Sequence, residues 1–240
     1  MPEYNELTRY ARQIPVIGED GQKKLKEAKV FIAGAGGLGT VISTYLCLAG
    51  VGFIKVADCD HVEETDLNRQ ILHWEADIGK SKTDSIREKL TKMNPHINVE
   101  TLSEKITMES ADRMTNDCEL IIDALDNYAA RYLLNRIALN RRIPFFHGAV
   151  SAFSGQTTTI KPFSTPCLRC IFPDAPAEQP PPVIGTSCCF IGAIQANEVI
   201  KYICSKGELL TGRLMLWDGM RGEVDFLDIE RNPSCPDCHQ

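Results

Sequence analysis

Hydrophobic positions along the chain fall into short unbroken runs separated by stretches with helical spacing. The first run, 29–33, enters the glycine cluster Gly34-Ala-Gly-Gly-Leu-Gly39, and 38–49 then reads as a mostly apolar helix. A second run, 53–57, ends at Asp58 and completes a strand, helix, strand unit. Residues 82–93 carry helical periodicity and stop at Asn94-Pro95, while 97–102 alternate as a strand does. Residues 119–123 predict a buried strand, followed by a helix over 128–140 and a strand over 144–150. Continuous apolar strands alternating with helices predict a mainly parallel sheet covered on both faces.

Beyond Val150 the pattern changes. Residues 156–161 predict a strand, and the proline-rich stretch 162–182 predicts a loop that crosses the molecule rather than joining neighbours. A buried helix is predicted over 188–204, two strands forming an antiparallel edge over 213–217 and 223–229, and a tail over 232–240. The expected fold class is therefore α/β, a doubly wound Rossmann-like sheet with a small antiparallel C-terminal extension. A chain of 240 residues suits one domain, 1–240, with an N-terminal arm (1–28), a crossover loop (162–187) and a C-terminal tail (232–240). There is no internal repeat.

Composition narrows the function classes. Hydrophobic residues make up 43% and charged residues 24%, values of an ordinary globular protein. A formal charge of -6 gives no support for nucleic-acid binding, so any phosphate must be met by a local cluster of Lys and Arg. No stretch reaches the ~18–20 apolar residues of a membrane helix, and the polar start lacks a signal-peptide core, so a cytoplasmic location is expected.

The glycines at 34, 36, 37 and 39 let the backbone approach a phosphate or ribose in front of a helix N-terminus, and Asp58 stands where a carboxylate would meet ribose hydroxyls. At this point a ligand-free tight turn and a nicotinamide-binding loop are both open. Arg69, Lys82 and Asp126 follow successive elements, which brings all three to the carboxyl edge of the sheet. Two cations suit a triphosphate, and a carboxylate suits Mg²⁺. Taken singly, each reads as a surface charge.

Ten cysteines include two C-x-x-C pairs, Cys167 with Cys170 and Cys235 with Cys238, the arrangement of a closed tetrahedral Cys₄ zinc site that pins the tail to the crossover loop. The competing reading is a redox dithiol. Cys188 and Cys189 stand at the start of the predicted buried helix, where a thiol is either activated by the helix N-terminus or a small apolar filler, the reading preferred here. Cys47, Cys59, Cys118 and Cys204 fall in or beside predicted core elements. His61, His73, His96 and His147 lack metal-like spacing, and His239 belongs to a solvated tail.

Read together, Arg9-Tyr-Ala-Arg-Gln13, the glycine cluster, Asp58-Cys-Asp60, Asp66-Leu-Asn-Arg-Gln70, Gly79-Lys-Ser-Lys82 and Asp123-Ala-Leu-Asp-Asn127 resemble the successive motifs of the MoeB/ThiF family. Pro166-Cys-Leu-Arg-Cys170, Gly192-Ala-Ile-Gln-Ala196 and Asn232-Pro-Ser-Cys-Pro-Asp-Cys238 extend the resemblance across nearly the whole chain. The resemblance implies ATP-dependent adenylation of the C-terminal glycine of a ubiquitin-like sulfur carrier, with Mg²⁺, an acyl-adenylate intermediate and pyrophosphate as product. It implies that Gly37 approaches the nucleotide, Asp58 holds ribose, Arg69 and Lys82 grip phosphates, and Asp126 binds metal. Gly34, Gly36, Asp60, Asn68, Gln70 and Asn127 complete the implied nucleotide set. Arg12 would be an arginine finger in the neighbouring subunit's site, making the protein a homodimer. The attacking carboxylate is already ionised near neutral pH, so no general base is needed.

Two departures bear on the substrate. Many relatives carry a cysteine in the crossover loop; none lies between Ile171 and Ser187, which favours adenylation without a thioester. Asp66 stands where the family motif more often has asparagine, and repels phosphate unless it helps to bind Mg²⁺ or is neutralised by Arg69. A small-molecule or cofactor-precursor carboxylate is the alternative substrate. A nicotinamide-dependent oxidoreductase leaves Arg69, Lys82 and the zinc unexplained, and an inactive scaffold leaves Arg12, Arg69, Lys82 and Asp126 without a purpose.

Overall fold

The N-terminal arm folds as α1 (Glu6–Arg9) and α2 (Ile14–Glu27), which the hydrophobic pattern did not announce. Strands and helices then alternate: β1 (Lys29–Ala33), α3 (Gly37–Ala49), β2 (Phe53–Ala57), α4 (Lys82–Met93), β3 (Asn98–Leu102), α5 (Met108–Thr115), β4 (Leu120–Asp123), α6 (Tyr128–Arg141) and β5 (Phe145–Ser151). The chain continues through β6 (Ser154–Ile160), α7 (Leu168–Ile171), α8 (Gly185–Cys204), β7 (Arg213–Asp218) and β8 (Glu223–Asp228). This computed structural model describes residues 6–174 and 181–239, so residues 1–5 of the arm, 175–180 of the crossover loop and 240 of the tail lie outside the described residues.

The eight strands form one sheet in the order β3-β2-β1-β4-β5-β6-β7-β8. β3 to β5 are mutually parallel, and β6, β7 and β8 add antiparallel. The α/β fold with a mainly parallel, doubly wound sheet and an antiparallel C-terminal extension is therefore present. β1 and β4 are buried along almost their whole length because helices cover both faces, which is why their sequences read as unbroken apolar runs. β8, at the sheet edge, is exposed throughout.

One face carries a core built from α2, α3, α4 and α8, with Ile42, Leu46, Ile86, Leu90, Ile191 and Val199 fully buried. Each such side chain contributes on the order of 1.5–3 kcal/mol. The other face is covered by α5, α6 and α7, whose core continues into Cys167, Cys235 and Cys238. α8 starts at Gly185, three residues before the expected boundary at Cys188. The register sets Ala33 beside both Ala57 and Asp123, so the segments leaving β1, β2 and β4 emerge side by side at the carboxyl edge.

Candidate functional site

The strand order reverses between β1 and β4, the point at which an open α/β sheet leaves a crevice for a ligand. The glycine loop lies there. Gly34 has φ of 103°, and a Cβ on it would come 2.6 Å from the Ala124 carbonyl oxygen, so the loop after β1 is packed against the loop after β4. A Cβ on Gly39 would fall 2.0 Å from the Gly34 oxygen, which keeps the start of α3 close to the strand. Asp58 accepts the Ala35 N–H at 2.7 Å and the Asp60 N–H at 2.8 Å, tying the end of β2 to the loop. Burial pushes the Asp58 carboxyl above its usual range.

The cations stand on a shared carboxylate. Asp66 is buried; its oxygens lie 3.1 Å from Arg69 Nη2 and 3.3 Å from Lys82 Nζ, and accept from Gln70 Nε2 at 2.7 Å. Arg69 also donates to the Thr65 carbonyl at 2.7 Å and to the exposed Asn68 side chain at 3.1 Å. Lys82 opens α4 and reaches Asp60 at 3.5 Å. A Cβ on Gly36 would lie 3.6 Å from Gln70 Nε2, so this cluster borders the glycine loop directly. The buried Gln70 Oε1 has no hydrogen-bond partner among the described residues.

Asp126 is exposed on the loop after β4, and among the described residues its side chain is hydrogen-bonded only by the Asn127 amide, at 3.4 Å. The Asn127 oxygen is already engaged, capping α6 by accepting the Ala130 N–H at 3.0 Å. Arg12 is not brought to this site. It is exposed in the turn before α2, and that turn is tied to the C-terminal end of α3 by Gln13, which donates to the Ala49 carbonyl at 2.8 Å, and by Asn94 at the end of α4, which donates to Tyr10 Oη at 2.9 Å and to the Cys47 carbonyl at 2.8 Å. The glycine loop is at the opposite end of α3, and a helix of 13 residues is about 20 Å long.

A model described as the ThiF family matches residues 10–237. The chain belongs to the ThiF family. The SAMP-activating enzyme E1 of Haloferax volcanii is 36% identical over 241 residues, spanning 97% of this chain and 89% of that protein. The sulfur carrier protein adenylyltransferase of Thermus thermophilus is 36% identical over 246 residues, spanning 97% of this chain and 91% of its own length. The adenylyltransferase and sulfurtransferase MOCS3 of Anopheles gambiae is 40% identical over 98% of this chain, and the chain spans 56% of that longer protein. The crystal structure of Escherichia coli MccB with ATP shares the fold at a TM-score of 0.87 and 24% identity, covering 99% of this chain and 75% of that one.

Within this ThiF-family fold, Asp123, Arg131 and His147 are a group that the sequence pattern did not single out. Asp123 and His147 are fully buried, with His147 Nδ1 at 2.7 Å and Arg131 Nε at 3.3 Å from the same carboxylate oxygen. Burial works against ionisation of Asp123, but Arg131 and His147 outweigh it and hold the carboxyl below its usual range. Burial lowers the His147 imidazole, which is therefore neutral and donates from Nδ1. The other Asp123 oxygen accepts the Leu125 N–H at 3.1 Å, and Arg131 Nη2 donates to the Leu125 carbonyl. Both backbone groups of Leu125 are thus fixed one residue before Asp126. The signal available in the sequence was Asp123 itself, the first acid of the motif that ends in Asp126-Asn127.

The four cysteines Cys167, Cys170, Cys235 and Cys238 converge on the far side of the sheet, all sulfurs lying within 4.8 Å of one another. Sγ separations of 3.9, 3.6 and 3.4 Å match the roughly 3.8 Å expected for thiolates about 2.3 Å from one tetrahedral Zn²⁺. They far exceed the bonded distance of a disulfide, about 2.05 Å. Asn135 of α6 braces the arrangement, accepting the Leu168 N–H at 3.0 Å and donating to Asp237 at 3.2 Å. The remaining cysteines divide. Cys47, Cys118 and Cys204 are buried as expected, whereas Cys59 is exposed. Cys188 is buried against Gly37, where an added Cβ would meet its sulfur at 2.6 Å, and burial pushes its thiol upward; this favours the apolar-filler reading. Cys189 is exposed.

Proposed function

We propose that this ThiF-family protein is an adenylyltransferase that uses ATP to activate the C-terminal carboxylate of a ubiquitin-like sulfur-carrier protein as an acyl-adenylate. The observation that carries the reading is the placing of Arg69 and Lys82 on Asp66 beside the glycine loop, two preorganised cations where phosphate charge would develop. The carrier is suggested by the relatives from Thermus thermophilus and Haloferax volcanii, which match over most of their own length.

The chain's own groups suit a nucleotide. The Gly36 N–H and Gln70 Oε1 are unpartnered among the described residues, and Asp58, directly after β2, would hold the ribose. In the proposed reaction the ionised carboxylate attacks the α-phosphorus, pyrophosphate leaves, and Arg69 and Lys82 stabilise the charge that develops. Asp126 would hold Mg²⁺, which supplies further charge neutralisation when bound. Cys167, Cys170, Cys235 and Cys238 would hold a structural Zn²⁺. Arg12, exposed and about a helix length from its own glycine loop, would complete the site of a second copy, so the working unit is a homodimer. The whole chain would act as one adenylation domain. No helix of the described residues is long and apolar enough to cross a membrane, and none of the ten cysteines forms a disulfide, which suits a reducing cytoplasm.

A small carboxylic acid is the second reading, motivated by the crossover loop without a cysteine. ATP–pyrophosphate exchange separates the two. Exchange dependent on a carrier ending in Gly-Gly is expected; exchange with small acids alone would replace the carrier, and no exchange with either would overturn adenylation.

A further inference from the structure

His73 was set aside in the sequence because its spacing suits no metal site, yet it is 3% exposed and hydrogen-bonded at both ring nitrogens. Nε2 lies 2.8 Å from the carbonyl oxygen of Ala35 in the glycine loop. A carbonyl only accepts, so Nε2 carries the hydrogen. Nδ1 of the Nε2–H ring accepts from Ser85 Oγ at 2.8 Å, a shorter contact than the 3.4 Å from the same hydroxyl to the Leu72 carbonyl. Ser85 Oγ in turn accepts from Lys89 Nζ at 3.0 Å, and Lys89 is ion-paired with buried Asp77. Asp77 is itself fixed by the Trp74 N–H at 3.0 Å and by Lys80 at 3.0 Å. The donors therefore all point one way, from Lys89 through Ser85 and His73 to the Ala35 carbonyl. Such chains polarise in the same sense and strengthen one another. Burial lowers the His73 imidazole, consistent with a neutral ring whose Nδ1 is free to accept.

The Ala35–Gly36 peptide is trans, so its carbonyl and its N–H point in opposite directions. Holding the carbonyl inward on His73 turns the Gly36 N–H outward, and that N–H has no partner among the described residues. We infer that His73 is a positioning residue of the nucleotide site, which through Ala35 presents the Gly36 N–H to ATP. The inference rests on the glycine loop being the ATP site.

Calorimetric titration of the full-length protein with MgATP, together with long-range proton–nitrogen NMR of the imidazoles, tests it. Histidine 73 should appear as the neutral Nε2–H tautomer. His73→Gln, whose amide nitrogen reaches the Nε2 position, should bind within about threefold of the unsubstituted protein. His73→Asn, which reaches only the Nδ1 position, should bind about tenfold more weakly, the size of one lost hydrogen bond. Where His73→Asn does not fold, Ser85→Ala decides, with a mixed tautomer and about threefold weaker binding expected. A Nδ1–H tautomer, or wild-type affinity in folded His73→Asn or in Ser85→Ala, overturns the inference while leaving the nucleotide site intact. Failure of the unsubstituted protein to bind MgATP overturns the nucleotide reading and this inference with it.

Discussion

Asp66 and Lys82 are paired at 3.3 Å, and the same carboxylate holds Arg69 at 3.1 Å. The acid that would repel a phosphate if it stood alone is neutralised by the two cations proposed to grip that phosphate. It also accepts the Glu63 N–H at 3.1 Å, so it organises the segment as well as the charges. Asp66→Ala leaves buried Lys82 with Asp60 alone, at 3.5 Å, and removes the acceptor of Gln70 Nε2, and is expected to cost about 1–3 kcal/mol, the range for leaving buried polar groups short of a partner. Urea unfolding compared with the unsubstituted protein checks this, and an unchanged midpoint would show that the pair carries no stability.

Arg69 and Lys82 are expected to act on rate through the charge that develops on the phosphates. Replacing either by Ala or Met should lower the rate of ATP–pyrophosphate exchange by on the order of 100-fold, as for other preorganised electrostatic contacts. Exchange by Arg69→Ala at the original rate would remove the phosphate assignment.

Arg131 is expected to matter twice. Arg131→Met strands the fully buried Asp123 carboxylate beside a neutral histidine, a loss of about 3–5 kcal/mol in urea unfolding. It also frees the Leu125 carbonyl next to Asp126, so the Mg²⁺ concentration needed for half-maximal exchange should rise in the variant.

Zinc analysis by mass spectrometry is expected to find one Zn²⁺ per chain. Cys235→Ser should lose most of it and melt at a lower temperature, because a metal on these four thiolates would join α7 to the C-terminal tail. A metal-free protein of unchanged melting temperature would leave the four thiols as packing alone.

Acid should weaken the fold earlier than carboxylate protonation requires. His73 and His147 both lie below their ordinary value of 6.5 because they are buried. Below that pH the unfolded chain binds protons that these two buried rings refuse, so their contribution to stability is level above pH 6.5 and falls as pH drops beneath it. The slope contributed by each histidine reaches at most about 1.4 kcal/mol per pH unit. Urea midpoints taken between about pH 5 and 8 read this directly, and His73→Gln should reduce the slope.

The sheet was legible in the sequence because β1, β2 and β4 are covered on both faces, and such strands appear as unbroken apolar runs between turn signals. α2 was not legible: it is kinked at Gly18, whose φ of 80° and ψ of 164° are not helical, and of its buried residues Ile17, Gly21, Gln22 and Leu25 only two are large and apolar. The eight-residue α5 is too short for one. His73 and His147 were passed over for a related reason. A hydrogen bond to the carbonyl of Ala35 or the carboxylate of Asp123 joins positions far apart in the chain and leaves no spacing to read.

By itself the sequence determined the residue types that the chemistry requires: a glycine loop after a strand, two cations, an acid beside Asn127, and two C-x-x-C pairs, all dictated by local backbone and valence. Only the tertiary structure decided how those residues are held. It brought Asp66 between Arg69 and Lys82, kept Arg12 a helix length from its own glycine loop, and gave buried His73 the task of orienting that loop. Charge balance, reach and burial depend on which segments the sheet order brings together, and that order is set by the packing of the whole chain.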